Sequence, residues 1–530
     1  MTTTTMIDSP LGAHHRGSGI LTWGIIALLA VGVVYTGVSL YDDLIAAPMH
    51  SALPYILLGV ALLIALGFEF VNGFHDTANA VATVIYTHSL EPHLAVVWSG
   101  LFNFLGVLTS SGAVAFGIIS LLPVELILQV GSHAGFAMVF ALLIAAIIWN
   151  LGTWYFGIPN SSSHALIGSI IGVGLMNQLM ASAGSGTSGV DWAQAVGVGK
   201  SLLFSPVVGF VLSALLLLAA KALIRIPALY KAPEGATPPP WWIRGLLVLT
   251  CTGVSFAHGS NDGQKGMGLI MLILIGVVPT TYALNKAMPA GQITQFETNS
   301  AAAEKIVAAK AEGHTVTGNP RTAVTQYVAQ RKLDADTYPA LAALIQDIEN
   351  QVKQFGSLAN VPENRISNTR NDMYLASEAL RLLPKDADAK LSDADTTPLN
   401  AYKKSLDSST KFIPTWVKVA VAIALGLGTM VGWKRIVVTV GEKIGKEHLS
   451  YGQGAAAEIV AMGTIMAADA YGLPVSTTHV LSSGVAGTMA ANGSGLQAST
   501  IKSMVLAWVL TLPAAITISG VLYFLFSHLF

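Results

Sequence analysis

Long apolar runs alternate with short polar links along most of the chain. The runs lie at 20–40, 53–88, 94–122, 133–156, 159–178, 199–224, 245–283, 413–433, 453–470, 473–490 and 503–529. A helix needs about 20 apolar residues to cross the roughly 30 Å hydrocarbon core of a bilayer. The pattern therefore predicts an all-α polytopic membrane protein with about 11 membrane segments.

The composition agrees with this fold class. Of 530 residues, 53% are hydrophobic and 11% are charged, and the net charge is -1. Soluble domains carry about 25% charged residues. We therefore expect a lipid bilayer around the protein and no nucleic-acid partner.

The first run, 20–40, is long enough to span a membrane, and no small-residue cleavage site follows it. We expect an N-terminal extension, 1–50, with one retained transmembrane helix. His14, His15 and Arg16 precede that helix and favour a cytoplasmic N-terminus.

Residues 285–412 differ from the rest of the chain. They hold 30 of its 57 charged residues, 15 of each sign, and include helix-like stretches. Balanced charge is typical of a solvated surface. The segment is predicted to be a water-exposed, helical insertion.

Two polar motifs each occur twice among the apolar runs. F-G-I-P-N-S-S-S-H at 156–164 returns as Y-G-L-P-V-S-T-T-H at 471–479, and N-G-F-H-D at 72–76 recurs more loosely as H-G-S-N-D at 258–262. Asp76 precedes Ser161 by 85 positions and Asp262 precedes Ser476 by 214. The difference of 129 nearly equals the 128 residues of the insertion. This spacing predicts an internal duplication, interrupted in its second half.

The duplication predicts two inverted-topology repeats with broken helices. The first repeat is 51–230, and the second is 231–284 with 413–530. A basic link at 221–244 is expected in the cytoplasm, so five crossings per half run in opposite directions. The same parity places 285–412 in the periplasm. In such transporters the site lies where the repeats meet.

The first motif pair places carboxylates at membrane depth, where a charge costs about 2.5–3.5 kcal/mol on insertion scales. Asp76 and Asp262, with Asn79 and Asn261 nearby in sequence, suit a coupling cation or a proton. The glycines beside them are expected to loosen the helix. His75 and Lys265 are accessory candidates, and Lys265 can pair with Asp262 or with an anion. Alternatively, these are structural carboxylates held by a histidine or a lysine.

The second motif pair predicts two helix N-termini rich in hydroxyl groups. Pro159 and Pro474 end one helix and favour a new start. Free first-turn N–H groups, the helix dipole and hydroxyl donors suit an oxyanion such as phosphate or sulfate. Plain N-capping is the alternative. The candidate ligands are Ser161, Ser162, Ser163, Ser476, Thr477 and Thr478. His164 and His479 can contact the anion, carry a proton or fix a helix end.

These motifs resemble the inorganic phosphate transporter family, the PiT permeases. That family carries a G-x-N-D-x-x-N-A type signature in each half, followed by a P-x-S-[ST]-[ST]-H type element. The corresponding stretches here are 73–80 and 259–266, and the resemblance covers roughly 53–283 and 413–529. His75 replaces the family's usual asparagine, and Lys265 stands where the first copy has Asn79. The His-Asp form resembles the bacterial low-affinity type.

This resemblance implies a secondary transporter of the bacterial inner membrane that imports phosphate by proton symport. The cargo is free phosphate or a complex with Mg²⁺ or another divalent cation. Sodium coupling, sulfate as the anion and a homodimer stay open. The chain has no G-x-x-x-x-G-K-[ST] run for ATP, and we expect no cofactor. An intramembrane hydrolase is the non-transport alternative, but a nucleophile needs only one copy of its motif.

Overall fold

The computed structural model describes residues 19–46, 52–76, 78–181, 189–233, 235 and 237–529. Regular structure in these residues is helical, apart from one isolated bridge between Gly445 and Leu496. The all-α fold class is thus confirmed. His14, His15 and Arg16, which favour a cytoplasmic N-terminus, lie outside the described residues.

The α-helices are α1 (Gly19–Ala46), α2 (Ala52–Asp76), α3 (Ala78–Tyr86), α4 (Pro92–Thr109), α5 (Ala113–Ile119), α6 (Val124–Leu128), α7 (His133–Tyr155), α8 (Ser162–Met180), α9 (Trp192–Leu223), α10 (Trp241–Val277), α11 (Pro279–Tyr282), α12 (Ala290–Lys310), α13 (Pro320–Gln330), α14 (Thr337–Phe355), α15 (Glu363–Leu382), α16 (Asp393–Thr410), α17 (Thr415–Met430), α18 (Lys434–Val438), α19 (Tyr451–Ala470), α20 (Thr477–Asn492) and α21 (Ala498–Leu529).

The helices carry the apolar surface of a membrane protein. Within the described residues, seven helices are long and apolar enough to cross a membrane, or up to eight if α16 and α17, bent by 75°, form one span. Large apolar side chains on α9 and α21, such as Leu203 and Val509, are exposed. With its 16 residues, α20 is about 24 Å long, which is less than the roughly 30 Å of hydrocarbon. The count of about 11 segments stays a prediction.

Equivalent helices of the two halves make equivalent contacts across the molecule. Helix α8 packs on α21, and its counterpart α20 packs on α9. Helix α2 packs on α17, and its counterpart α10 packs on α4. Each half therefore covers the motif-bearing helices of the other. The inverted repeat stays a prediction, and this exchange of partners supports it.

Glycine allows the motif-bearing helices to approach their partners closely. A Cβ on Gly73 of α2 would lie 2.2 Å from the carbonyl oxygen of Leu425 on α17. A Cβ on Gly259 of α10 would lie 2.1 Å from the carbonyl oxygen of Asn103 on α4. Only glycine fits at such contacts without moving a helix backbone. Each carboxylate motif thus lies directly against the backbone of a neighbouring helix.

The Gly73→Ala substitution is expected to lower the stability of the detergent-solubilised protein by about 1–3 kcal/mol, because an added methyl group overpacks this contact. Gly67→Ala on the same helix is the control, since its Cβ would meet nothing within 4 Å. Thermal unfolding of both variants measures the difference. Equal melting temperatures would contradict the close approach of α2 and α17.

The second carboxylate motif lies in an unbroken helix. Helix α10 runs over 37 residues through Gly259 and Gly263, so the loosened helix expected there is not found. The first copy does differ: α2 ends at Asp76 and α3 begins at Ala78. The polar groups of α10 instead find partners on neighbouring helices. For example, Gln264 donates to Asp469 at 2.6 Å, and His258 lies 2.7 Å from the side-chain oxygen of Asn103.

The charged insertion forms helices α12 to α16, which pack on one another. An anchor to the apolar bundle lies at Asp191, the N-cap of α9. Its carboxylate accepts hydrogen bonds from Arg331 and, at 3.0 Å, from Arg381. Burial acts to raise the pKa of Asp191, but the Arg331 side chain and the backbone N–H of Gln194 outweigh it and lower that pKa. The division of the chain into repeats and insertion stays a prediction.

Candidate anion and cation site

Both copies of the serine-rich motif form the same helix–turn–helix junction. Gly157 follows α7 and Gly472 follows α19, with φ angles of +67° and +65°. Each donates its N–H to a carbonyl three residues earlier, at 2.8 and 2.9 Å, which closes the preceding helix. Pro159 and Pro474 come next and cannot continue that helix. New helices, α8 and α20, begin immediately afterwards.

The first hydroxyl of each junction caps its own helix. The Ser161 side chain accepts from the N–H of His164 at 3.2 Å, and Ser476 accepts from the N–H of His479 at 3.1 Å. The capping alternative therefore describes these two hydroxyls. It does not describe the next two hydroxyls of each junction, those of Ser162 and Ser163 and of Thr477 and Thr478. We refer to residues 161–163 as the first tip and residues 476–478 as the second tip.

The two tips converge on Asp76. Ser162 Oγ of the first tip lies 2.5 Å from Asp76 Oδ2 and 2.7 Å from Asn72 Oδ1. Thr478 Oγ1 of the second tip donates to Asp76 Oδ1 at 2.6 Å. Ser162 and Thr478 are far apart in sequence and belong to different predicted repeats. One buried carboxylate thus receives a hydroxyl group from each half.

The second carboxylate lies beside an ammonium group. Lys265 Nζ is 2.6 Å from Asp262 Oδ2, and it also donates to Ser163 Oγ of the first tip. Ser163 in turn donates to the Val475 carbonyl oxygen at 2.9 Å, next to the second tip. His258 Nε2 is 3.5 Å from Asp262 Oδ2. Both carboxylates are therefore in contact with the first tip, directly or through Lys265.

The remaining candidates hold the tips in place. Asn261 donates to the Leu473 carbonyl at 3.1 Å and accepts from the N–H of Val475 at 3.4 Å. This places its side chain on the turn before the second tip. His75 Nδ1 is 3.3 Å from Asp76 Oδ1, and its Nε2 is 3.2 Å from Thr153 Oγ1. The side chain of Asn79 lies outside the described residues.

The rings of the two motif histidines lie against each other at an angle of 39°. The ring centroids of His164 and His479 are 4.5 Å apart, and the His479 ring lies 4.2 Å from the ring of Trp508. His164 Nδ1 also lies 2.8 Å from Ser161 Oγ. The pair bridges the first turns of α8 and α20. Their geometry favours fixing the helix ends.

Several buried polar atoms of this cluster have no hydrogen-bond partner among the described residues. They are Asp262 Oδ1, His258 Nε2, Thr477 Oγ1 and His479 Nε2. An unpaired buried polar atom is costly, and in a native protein its explanation is strain, a functional role, or a bound water or ion. Asp76, His258 and Asp262 offer ligand atoms that all lie within 4.8 Å of one another. The cluster can therefore accept a cation beside the hydroxyl groups.

Two side chains of this site, Asn72 and His258, are absent from the sequence-based set of candidates. Each lies four positions before the aspartate of its motif, so a constant shift of 186 residues relates them. Asn72 Oδ1 faces Ser162 of the first tip, and His258 faces Asp262. The signal that identifies Asn72 and His258 is their equivalent position, four residues before the aspartate, in the two copies of the motif.

Comparison with known proteins places the chain among phosphate transporters. Residues 72–519 match the phosphate transporter family, PHO4. The low-affinity inorganic phosphate transporter PitA of Escherichia coli (strain K12) is 43% identical over 501 residues, covering 90% of this chain and 97% of PitA. PitB of the same organism is 40% identical over 491 residues, covering 89% and 96%. A solved structure of a sodium-dependent phosphate transporter aligns at 17% identity with a TM-score of 0.47, covering 89% of this chain and 98% of that chain.

Proposed function

We propose that this chain, which belongs to the phosphate transporter family, imports inorganic phosphate across the bacterial inner membrane as a secondary transporter. Members of this family are transporters, so the hydrolase alternative is set aside. The observation that supports phosphate import most strongly is the convergence of two hydroxyl-rich helix tips on Asp76. Such tips combine hydroxyl donors with free first-turn N–H groups, which suit a tetrahedral oxyanion.

Phosphate binds, in this proposal, between the first tip and the second tip. Ser162, Ser163, Thr477 and Thr478 turn their hydroxyl hydrogens toward the phosphate oxygens. Thr477 Oγ1 is buried and has no hydrogen-bond partner among the described residues, so it is available for this bond. Ser161 and Ser476 hold the two first turns in position and complete the site.

The same hydroxyl groups link anion binding to cation binding. Ser162 and Thr478 stabilise the charge of Asp76 as long as they donate to it. When they turn to phosphate, the buried carboxylate loses two donors, and a buried charge costs more with fewer partners. A proton or a cation on Asp76 removes that cost. Occupancy of the site by phosphate therefore favours uptake of the coupling ion.

We assign the coupling ion as a proton, with sodium as the second candidate. His75 supports a proton, because its Nδ1 lies 3.3 Å from Asp76 Oδ1 and a protonated imidazole can donate a proton to a carboxylate. Asp262, Asn261, Lys265, His164 and His479 support the site from the second carboxylate and the tips. The cargo in this proposal is free phosphate or its complex with a divalent cation such as Mg²⁺. Sulfate stays an alternative anion, since the donors described fit either oxyanion.

The proposed arrangement in the membrane follows from the predicted repeats. The first repeat is 51–230, and the second is 231–284 with 413–530. The N-terminus is cytoplasmic, and 285–412 lies in the periplasm as a water-exposed insertion. The anchor of that insertion at Asp191 holds it against one end of the bundle.

Uptake of labelled phosphate into proteoliposomes under separate proton and sodium gradients tests this function. We expect an inward proton gradient to drive uptake and magnesium to increase it. Competition by excess sulfate shows whether the site also accepts that anion. Empty liposomes are the control. Uptake driven only by a sodium gradient would show that sodium, and not the proton, is the coupling ion. Absence of phosphate uptake under every gradient would contradict the proposed function itself.

A further inference from the structure

We propose that Lys265 is a tethered cation that permanently occupies the cation position of the second carboxylate. Each transport cycle then carries one mobile positive charge at the centre formed by Asp76, Asp262 and Lys265. Two carboxylates without a lysine would require two mobile positive charges. This inference rests on the proposed function, because it specifies the charge that the phosphate cycle moves.

The contacts of Lys265 are those of a bound ion. Its side chain is fully buried, and its ammonium lies 2.6 Å from Asp262 Oδ2 and against Ser163 Oγ. Because both partners are oxygen atoms, the ammonium takes the place that a small monovalent cation would take between them. The four-carbon stem that starts on α10 prevents this charge from leaving with the cargo.

The two copies of the motif differ at this one position in their charge. A shift of 186 residues relates Asp76 to Asp262 and Asn79 to Lys265. The first copy therefore offers a neutral amide at a position where the second copy offers a positive charge. Asp76 has hydroxyl donors from the tips, whereas Asp262 has an ammonium. Asp76 can therefore exchange its hydroxyl donors for a mobile cation, whereas Asp262 keeps the ammonium of Lys265.

A count of formal charges shows the consequence. Asp76, Asp262 and Lys265 together carry a net charge of -1 with neutral histidines. One proton or monovalent cation therefore brings this three-residue centre to zero net charge. The single mobile cation thus binds at Asp76, while Lys265 holds Asp262 Oδ2.

Lys265→Asn, which copies the first motif, tests the inference. The variant lacks the tethered charge, so a second mobile cation must take its place. We expect the reversal potential of phosphate uptake in proteoliposomes to report one more positive charge per phosphate than in the wild type. Lys265→Arg is expected to keep the wild-type charge per phosphate, whatever its rate.

Lys418→Gln is the matched control for loss of a membrane lysine. Lys418 on α17 donates to the Ser110 carbonyl at 2.7 Å, away from Asp262. We expect this variant to keep the wild-type charge per phosphate. An unchanged charge per phosphate in Lys265→Asn would overturn the inference, as would a change of the same size in Lys418→Gln.

A double variant decides the result if Lys265→Asn is inactive. Asp262→Asn alone leaves a buried ammonium without its partner and is expected to lose uptake. Asp262→Asn with Lys265→Gln removes both charges, and the net charge of the centre stays at that of the wild type. Recovery of uptake at the wild-type charge per phosphate supports the tethered cation. If the double variant is as inactive as Asp262→Asn, Asp262 has a role other than binding Lys265, and the inference is overturned.

The wild type separates this inference from the proposed function. If the wild type does not take up phosphate, the proposed function fails before the variants are compared. If the wild type takes up phosphate and Lys265→Asn moves the same charge, only the tethered cation fails. The charge count is independent of whether the mobile cation is a proton or sodium.

Discussion

Asp76→Asn is expected to reduce phosphate uptake at least about 100-fold, which corresponds to about 2.8 kcal/mol in the transport barrier. Asparagine has the shape of aspartate and still accepts one hydroxyl group. It carries no charge, so it cannot bind the coupling proton or cation when phosphate binds. Ser162 and Thr478, which both donate to Asp76, would then bind phosphate without a coupled ion. The initial rate in proteoliposomes measures the loss.

Glu458→Gln is the control for this substitution. Glu458 is a buried carboxylate of α19 that accepts from Thr250 and touches neither tip. We expect its variant to keep uptake within about threefold of the wild type, which is less than 1 kcal/mol. Melting temperatures show whether both variants fold. A folded Asp76→Asn protein that transports at the wild-type rate would contradict the role of Asp76.

The double substitution Ser162→Ala with Thr478→Ala is expected to raise the apparent KM for phosphate about 100-fold. A hydrogen bond to a charged group contributes about 1.5–3 kcal/mol, and each 1.4 kcal/mol is tenfold in affinity. The two hydroxyls belong to different tips, so each single variant is expected to show part of the effect. Uptake rates across a range of phosphate concentrations give the KM.

Ser169→Ala with Thr488→Ala is the matched control on the same two helices. Ser169 donates to the Ala165 carbonyl at 2.8 Å, and Thr488 donates to the Val485 carbonyl at 2.9 Å. Because these hydroxyls are satisfied within their own helices, the KM should not change. Equal KM values for the tip variant and this control would contradict the claim that the Ser162 and Thr478 hydroxyls bind phosphate.

The tips could be predicted from sequence because their causes are local. A proline cannot continue a helix, a glycine tolerates a positive φ, and serine favours the N-cap. These three preferences place the starts of α8 and α20 within one or two residues. They also explain why Ser161 and Ser476 are caps, an alternative that the sequence leaves open for all six hydroxyls.

The partners of each side chain could not be predicted, because they depend on packing between distant segments. Lys265 contacts Ser163, which lies 102 positions away. Asn261 binds the turn before the second tip, a role that its place beside an aspartate does not indicate. Helix α10 is continuous because neighbouring helices supply its polar partners. Local sequence shows the need for such partners but not their identity.

The internal duplication is the sequence signal that identifies the most residues of the site. It relates Asp76 to Asp262 and Asn72 to His258 by one shift, although these residues differ in their contacts. Where the copies agree, as in the two tips, the structure shows equivalent geometry. Where they differ, as at Asn79 and Lys265, the sequence indicates an asymmetry of charge.

A cryo-EM structure of the protein in lipid nanodiscs with saturating phosphate tests the central claim most directly. We expect density for one tetrahedral anion within hydrogen-bonding distance of the Ser162 and Thr478 hydroxyls, with those hydroxyls no longer donating to Asp76. Phosphate bound elsewhere, with both hydroxyls still on Asp76, would contradict a site built from the two helix tips.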